Sequence, residues 1–557
     1  MSRSAELLKQ RILSTYGENR QLDRVPMDHP HVSCTNGTFV GLFREGVDIY
    51  RGIPFACPPT GTLRWKRPLP VPESNEIYEA FYNGKSPIQT EWATEAASYY
   101  PQSEDCLYLN IWTSREVSEK KAVMVFFHGG SYGWGGTADP LYDGYNFVKA
   151  HPDIVLVTVG YRTGLFGFVD FSMVPGGEEY PDAPNLGILD QIESLRWVRN
   201  NIASFGGDKD QVTIFGESAG GGSVSLLPII EEAKGLFHRV IAQSGSVALT
   251  FSKAQCQSFT KRLLKACRCG DMASLAALDT EKLKAVNENL NYYNNFPQRD
   301  GRLIPLDPYQ AYLDGRSAGV DLLTGTNQNE SNYWVRELGG IVPYAIGAPV
   351  KFENDLRALE PSDRDRVRRF MKGARRKYGH KVWCRAEFYN ELMFRLPAVR
   401  QCEAHVKNGG KAYMYYWTEP STNAHMGACH AVELAYVFGN LDETIYTGKR
   451  GDEELSRRVG DMWADFAKTG DPGLPDLPWP VYDTADRATM RLNKQIELDY
   501  DILKEQREEL SPLLSYWINP SYAEMDYNVP FVRRHILSLI LVILGIAALI
   551  ILKAVFS

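Results

Sequence analysis

The chain carries no strong charge of either sign: 61 lysines and arginines against 68 aspartates and glutamates leave a net charge of −7 over 557 residues. No arginine and lysine cluster stands out as large enough to build a phosphate-tracking face, so nucleic acid is not an expected partner. The first twenty residues, MSRSAELLKQRILSTYGENR, mix charge with isolated leucines and lack the apolar core of a secretory signal. Cysteine is sparse and unpatterned. The nine residues at 34, 57, 106, 256, 267, 269, 384, 402 and 429 contain no C-x-x-C pair, and the CRC at 267–269 has no second pair at a zinc-binding distance. No metal is expected, and free thiols in a reducing compartment are the plain reading. No repeat, low-complexity tract or long linker divides the chain.

One long apolar run is present, at the C-terminal end. In RRHILSLILVILGIAALIILKAVFS, the seventeen residues 536–552 are uncharged; at about 1.5 Å each they span about 25 Å, near the lower limit for crossing a bilayer. His535 and Lys553 are placed to snorkel. A helix buried in a soluble core would keep a polar face, and this stretch offers only Ser538 and Gly545. Arg533 and Arg534 lie upstream, so the basic-residue bias places the main domain in the cytoplasm. The expectation is an N-terminal extension over 1–29, a main domain over 30–530, and a single-pass C-terminal tail anchor over 533–557.

Composition is that of a globular protein, 44% hydrophobic and 23% charged, with ample material for a core. Short β-branched or aromatic runs recur along it: KAVMVFFHGG, DIVLVTVGYR, QVTIFGESAG, HRVIAQSGS, GVDLLTGTNQNES and KAYMYYWTEP. Between them lie helix-like segments such as DQIESLRWVRNNIASF, where Ile192, Leu195, Trp197, Val198 and Ile202 repeat on one face. This alternation predicts an α/β fold with a large, mostly parallel central sheet and helices on both faces. Function in such sheets collects beyond the carboxyl ends of the strands.

At one strand end stands VTIFGESAGG, residues 212–221. A serine hydroxyl is a poor nucleophile, and a sharp strand-to-helix turn holds it where a base can reach it; Gly216 and Gly220 give the backbone room for that turn. Ser218 is therefore the candidate nucleophile, and the N–H of Ala219, opening a helix, is placed to stabilise an oxyanion. Upstream, HGGSY follows another apolar strand and supplies Gly130 and Ser131 as the second half of an oxyanion hole. A phosphate-cradling reading of GESAGGGS fails for want of a lysine in the Walker arrangement.

YRGIPFACPP, SEDCLYLNIW, NLGILDQIESLRWVRNNIASFGGDKDQVTIFGESAGG and WADFAKTGDP together resemble the type-B carboxylesterase and cholinesterase family, over residues from about 30 to 520. The resemblance implies the α/β-hydrolase fold, with triad order serine, acid, histidine. It places the acid at Glu330 in NQNESNY and the histidine at His430 in CHAVELAYVFG. Both also follow a predicted strand in the required order. Their plain rivals are an exposed loop carboxylate at Glu330, a structural histidine at His430, and His425, His128 or His238 as the base. Glu217 and Glu433 match the family pattern as electrostatic supports, and the Ser131 hydroxyl would narrow the acyl pocket.

The departures from the family bear on location. Trp92 lies upstream of SEDC, where cholinesterases carry a cation-binding tryptophan, but at a longer spacing from Cys106. The family disulfide ending at Cys106 has no partner in KSPIQTE, and a second, from Cys267 or Cys269, meets Ala277 in LAAL. The sequons at Asn36 and Asn329 are expected to stay unmodified in the cytoplasm. The resulting expectation is a serine carboxylic-ester hydrolase working through an acyl-enzyme on apolar esters near a membrane, without a cofactor. The alternatives are a non-catalytic interaction protein of the same fold, and a thioesterase or amidase using the same triad.

Overall fold

The computed structural model describes residues 3–89, 96–117, 120–290, 296–337 and 351–518. Eleven strands form the main sheet: β1 (Leu42–Arg44), β2 (Val47–Pro54), β3 (Tyr108–Ser114), β4 (Lys121–Phe127), β5 (Ile154–Val159), β6 (Gly207–Glu217), β7 (Arg239–Gln243), β8 (Asp321–Asn327), β9 (Ala412–Trp417), β10 (Ala488–Leu492) and β11 (Glu497–Tyr500). Their spatial order is β11-β10-β9-β8-β7-β6-β4-β5-β3-β2-β1. The span from β10 to β5 is parallel throughout. Both margins are antiparallel, β11 on one side and β3, β2 and β1 on the other, which makes the sheet mixed rather than uniformly parallel.

The sequence accounts for this division. KAVMVFF in β4 and IVLVTV in β5 are buried at every position, as strands covered on both faces must be. Along β4 the side chains alternate between two cores: Val123, Val125 and Phe127 join one, Ala122, Met124 and Phe126 the other. The first core takes in Ile188, Ile192 and Leu195 of helix α2 (Leu186–Asn201) and Val224 of α3 (Ala219–Leu226); the second takes in Val459 and Trp463 of a long helix, Glu453–Thr469.

Helix α2 exceeds its predicted single apolar face. Asp190, Gln191 and Ser194 are buried along with the apolar residues. Asp190 is countered by Arg162, which follows β5; Nη2 lies 2.6 Å and Nε 2.9 Å from its two oxygens. A bidentate pair of this kind ties the helix to the strand end.

The described residues of 3–29 pack on the domain. Helix Arg3–Leu13 sets Leu8 and Ile12 against Ala96, Ala97 and Tyr100, and Gln21–Leu22 pairs with Ile77–Glu79 in a separate four-stranded sheet. Helix α4 (Pro361–Tyr378), helix α5 (Lys381–Tyr389), a π-helical turn (Asn390–Arg395) and helix α6 (Leu396–Val406) follow in succession between β8 and β9. Among the described residues no helix is long and apolar enough to cross a membrane, and the apolar run 536–552 lies outside them. All nine cysteines are free thiols. Asn36 is buried, donating to the Pro54 carbonyl (2.9 Å) and accepting from the Trp197 indole (3.0 Å).

Candidate active site

Ser218 occupies the turn between β6 and α3 with φ 59° and ψ −120°, a conformation that costs energy for any residue with a side chain. Its surroundings admit no alternative. A Cβ on Gly220 would fall 1.9 Å from the Phe127 carbonyl oxygen, and one on Gly216 would fall 2.5 Å from the Gly220 carbonyl carbon. Across the turn, the Ser218 N–H donates to the Gln243 carbonyl (2.9 Å) and its own carbonyl accepts from Gly222 (2.8 Å). The result is a serine partly open to solvent between the buried Glu217 and Ala219.

The loop after β4 lies against this turn. A Cβ on Gly129 would sit 3.0 Å from the Ser218 Cβ, so Gly130 and Ser131 follow directly beside the serine. Gly130 (φ 103°) and Ser131 (φ 51°) turn sharply, and the Gly130 carbonyl accepts from Gly133 (2.9 Å) and Trp134 (3.0 Å). The buried Gln89 side chain clamps the far end of the loop: Oε1 accepts from the Gly135 N–H (2.8 Å), and Nε2 donates to the Gly135 carbonyl (2.9 Å). Ala219 opens α3, where an N–H has no intrahelical acceptor.

Glu330 and His430 meet at the ends of the next strands. His430 Nδ1 is 2.6 Å from Glu330 Oε2. The other carboxylate oxygen, Oε1, accepts from Ser244 Oγ (2.6 Å) and the Asn327 N–H (2.7 Å), so the fully buried carboxylate is satisfied at both ends. His430 Nε2 lies 3.1 Å from Glu217 Oε1, next to the serine; among the described residues Ser218 Oγ makes no hydrogen bond to it. Glu433 is fully buried and accepts from Gln243 Nε2 (3.1 Å) and Asn327 Nδ2 (2.6 Å). Burial raises the Glu433 pKa against the pull of Asn327. Burial alone would drive the imidazole neutral, but Glu217, Glu330 and Glu433 together outweigh it and raise the His430 pKa above its ordinary 6.5.

The imidazole is boxed by rings: Phe394 at 4.9 Å between centroids, Tyr333 at 5.6 Å and Trp334 at 6.3 Å. Phe394 is carried by the π-helical turn, a feature frequent at functional sites. Asn390 of that turn bolts it to the acid's loop, accepting from the Ser331 N–H (2.8 Å) and donating to the Gln328 carbonyl (3.2 Å).

The rival histidines stand apart from this arrangement. His128 is buried under Tyr161 with its pKa lowered to about 4 by burial. His425 is exposed and stacked on Trp383, and His238 accepts from the Val212 N–H at the start of β6's apolar half. Trp92 lies outside the described residues. Sequence reasoning passed over Ser244, Asn327, Gln243 and Phe394. The signal for Ser244 is its place directly after the apolar run of HRVIAQSGS; Phe394 has none, since nothing local marks a π turn.

Residues 28–510 match the model of the carboxylesterase family. The chain is 33% identical over 512 residues to the para-nitrobenzyl esterase of Bacillus subtilis, covering 87% of this chain and 99% of that protein. It is 30% identical to the rat liver carboxylesterase 1F, covering 82% and 89%. A crystal structure of a carboxylesterase from Geobacillus stearothermophilus superimposes with a TM-score of 0.77 at 32% identity, covering 86% of this chain and 99% of that one.

Proposed function

The chain belongs to the carboxylesterase family and is a carboxylic ester hydrolase, and on that premise we propose that Ser218, His430 and Glu330 carry out the hydrolysis through an acyl-enzyme. The observation that carries this reading is the 2.6 Å contact between His430 and a fully satisfied Glu330, with Nε2 3.1 Å from Oε1 of Glu217, the residue before Ser218.

In the proposed reaction the Ser218 oxygen bonds to the ester carbonyl carbon while His430 Nε2 takes its proton. The carbonyl oxygen becomes an oxyanion facing the N–H groups of Gly130, Ser131 and Ala219, each worth about 3 kcal/mol of barrier. The imidazolium then returns the proton to the departing alcohol as the C–O bond breaks, leaving acyl-Ser218. Water repeats the sequence and releases the acid. Glu330 holds the Nδ1 tautomer and stabilises the cation formed at each step. In the resting protein Nε2 lies 3.1 Å from Glu217 Oε1 without a hydrogen bond between them, and the bond to the serine hydroxyl forms as substrate enters; such contacts commonly tighten only in the Michaelis complex.

The rings of Tyr333, Trp334 and Phe394 beside the imidazole favour apolar esters. The uncharged run 536–552 supports a membrane tether that would keep the enzyme near such substrates. The test is labelling by a fluorophosphonate probe followed by peptide mapping. Covalent label on Ser218, abolished in Ser218→Ala together with hydrolysis of a short p-nitrophenyl ester, is the expected result. Label elsewhere, or full hydrolysis by the alanine variant, sinks it.

A further inference from the structure

Helix α4 carries the densest basic charge of the described helices. Its segment PSDRDRVRRFMKGARRKY holds eight arginines and lysines against two aspartates. Eight basic residues in eighteen make this segment a cationic cluster, contrary to the expectation that none stands out in the chain. In helical register the apolar and basic residues separate: Val367, Phe370 and Ala374 are buried, while Arg368, Lys372, Arg375 and Arg376, spaced i, i+4, i+7 and i+8, lie on the opposite side and are exposed. Arg368 pairs with Asp365 and Arg369 with Glu509. Among the described residues, Lys372, Arg375, Arg376 and the nearby exposed Lys381 have no carboxylate within ion-pairing distance. An uncompensated cationic face on a chain of net charge −7 calls for an anionic partner.

The direction of the chain narrows the choice. The last described segment packs on the same helix: Tyr516 Oη donates to Asp363 (2.8 Å) and accepts from the Glu360 N–H (3.1 Å), and the Glu509 carbonyl accepts from Arg366 (3.1 Å). Ile518, the last described residue, packs in the same cluster as Val367, Phe370 and Ala374 of α4, and the sequence beyond it contains Arg533, Arg534 and the apolar run. We propose that the cationic face of α4 docks on an anionic phospholipid surface, beside the point where the tail enters the same bilayer. This rests on the tethered reading above. Docking of this kind is weak by itself and sensitive to salt, and a tail in the same membrane raises its effective concentration. Because α4 leads through α5 into the turn bearing Phe394, the docked helix belongs to the same run of chain as one wall of the site.

The test uses the full chain reconstituted into vesicles of phosphatidylcholine alone, or with about 30% phosphatidylserine, with hydrogen exchange read over residues 361–381. Exchange is expected to slow at least about fivefold on the anionic vesicles at low salt, and to recover at high salt. The variant Lys372→Glu/Arg375→Glu/Arg376→Glu should lose the protection while hydrolysing a water-soluble ester at the rate of the unaltered protein. Equal exchange on both vesicles overturns the proposal, as does equal protection by a short RNA without vesicles, which would make nucleic acid the partner. Failure of the tether is a separate result: the protein would then float with anionic vesicles and not with phosphatidylcholine alone, leaving the docking face in place.

Discussion

The two sides of the candidate site are held by different forces. Around Ser218 backbones touch, and the turn exists because glycine stands at 129, 216 and 220, where any added Cβ would meet a carbonyl group or the serine itself. Around His430 side chains converge, aromatic rings on its faces and three buried carboxylates, Glu217, Glu330 and Glu433, that set the imidazole's charge. The serine side is set by volume, the histidine side by charge.

That contrast is broken most severely by removing the groups proposed to react. Ser218→Ala should lower kcat/KM by about 10⁴- to 10⁶-fold with unfolding temperature nearly unchanged, measured on a p-nitrophenyl ester. Glu330→Gln comes next, at about 10⁴-fold, because Asn327 and Ser244 still have an acceptor while the imidazole loses the charge that holds its tautomer. An unfolding temperature that falls as far as the rate in this variant would instead make Glu330 structural. Gly220→Ala tests the steric side. With the Phe127 carbonyl 1.9 Å away, relief requires moving β4 or α3, and a loss of about 3 kcal/mol or more is expected in denaturant titration. A loss below about 1 kcal/mol would show that the turn has slack.

Legibility in the sequence follows the same division. Ser218 could be read from ten consecutive residues because a tight turn imposes its glycines locally. Glu330 and His430 needed the chain order and flanking motifs, since a carboxylate or imidazole at a strand end has no local requirement of its own. The groups that tune them were illegible. Ser244 and Asn327 reach Glu330 from β7 and the end of β8, and Gln243 and Asn327 reach Glu433 the same way; only sheet register brings these residues together. The strand alternation predicted the sheet's parallel middle, but its antiparallel margins depend on pairing partners that periodicity does not name. The basic density of residues 361–378 is legible in the sequence, but its segregation to one exposed face is not, because residues four and seven apart become neighbours only once the helix is assigned.

Glu217→Gln sharpens the comparison with the smallest effect. Only the neutral imidazole can accept the serine proton, so kcat/KM falls as pH drops through the His430 pKa, which its carboxylate neighbours hold above 6.5. Removing the charge 3.1 Å from Nε2 lowers that pKa and leaves more neutral base at any given acidic pH. The acidic limb of the pH profile should therefore move down by about one pH unit, with the plateau rate within about threefold of the parent. Glu433→Gln should move it in the same direction and by less, because its carboxylate is engaged by Gln243 and Asn327 rather than by the ring. A limb that stays fixed in both variants would mean that the imidazole's charge is set by Glu330 alone, and that the carboxylate beside the serine serves only to fill the turn.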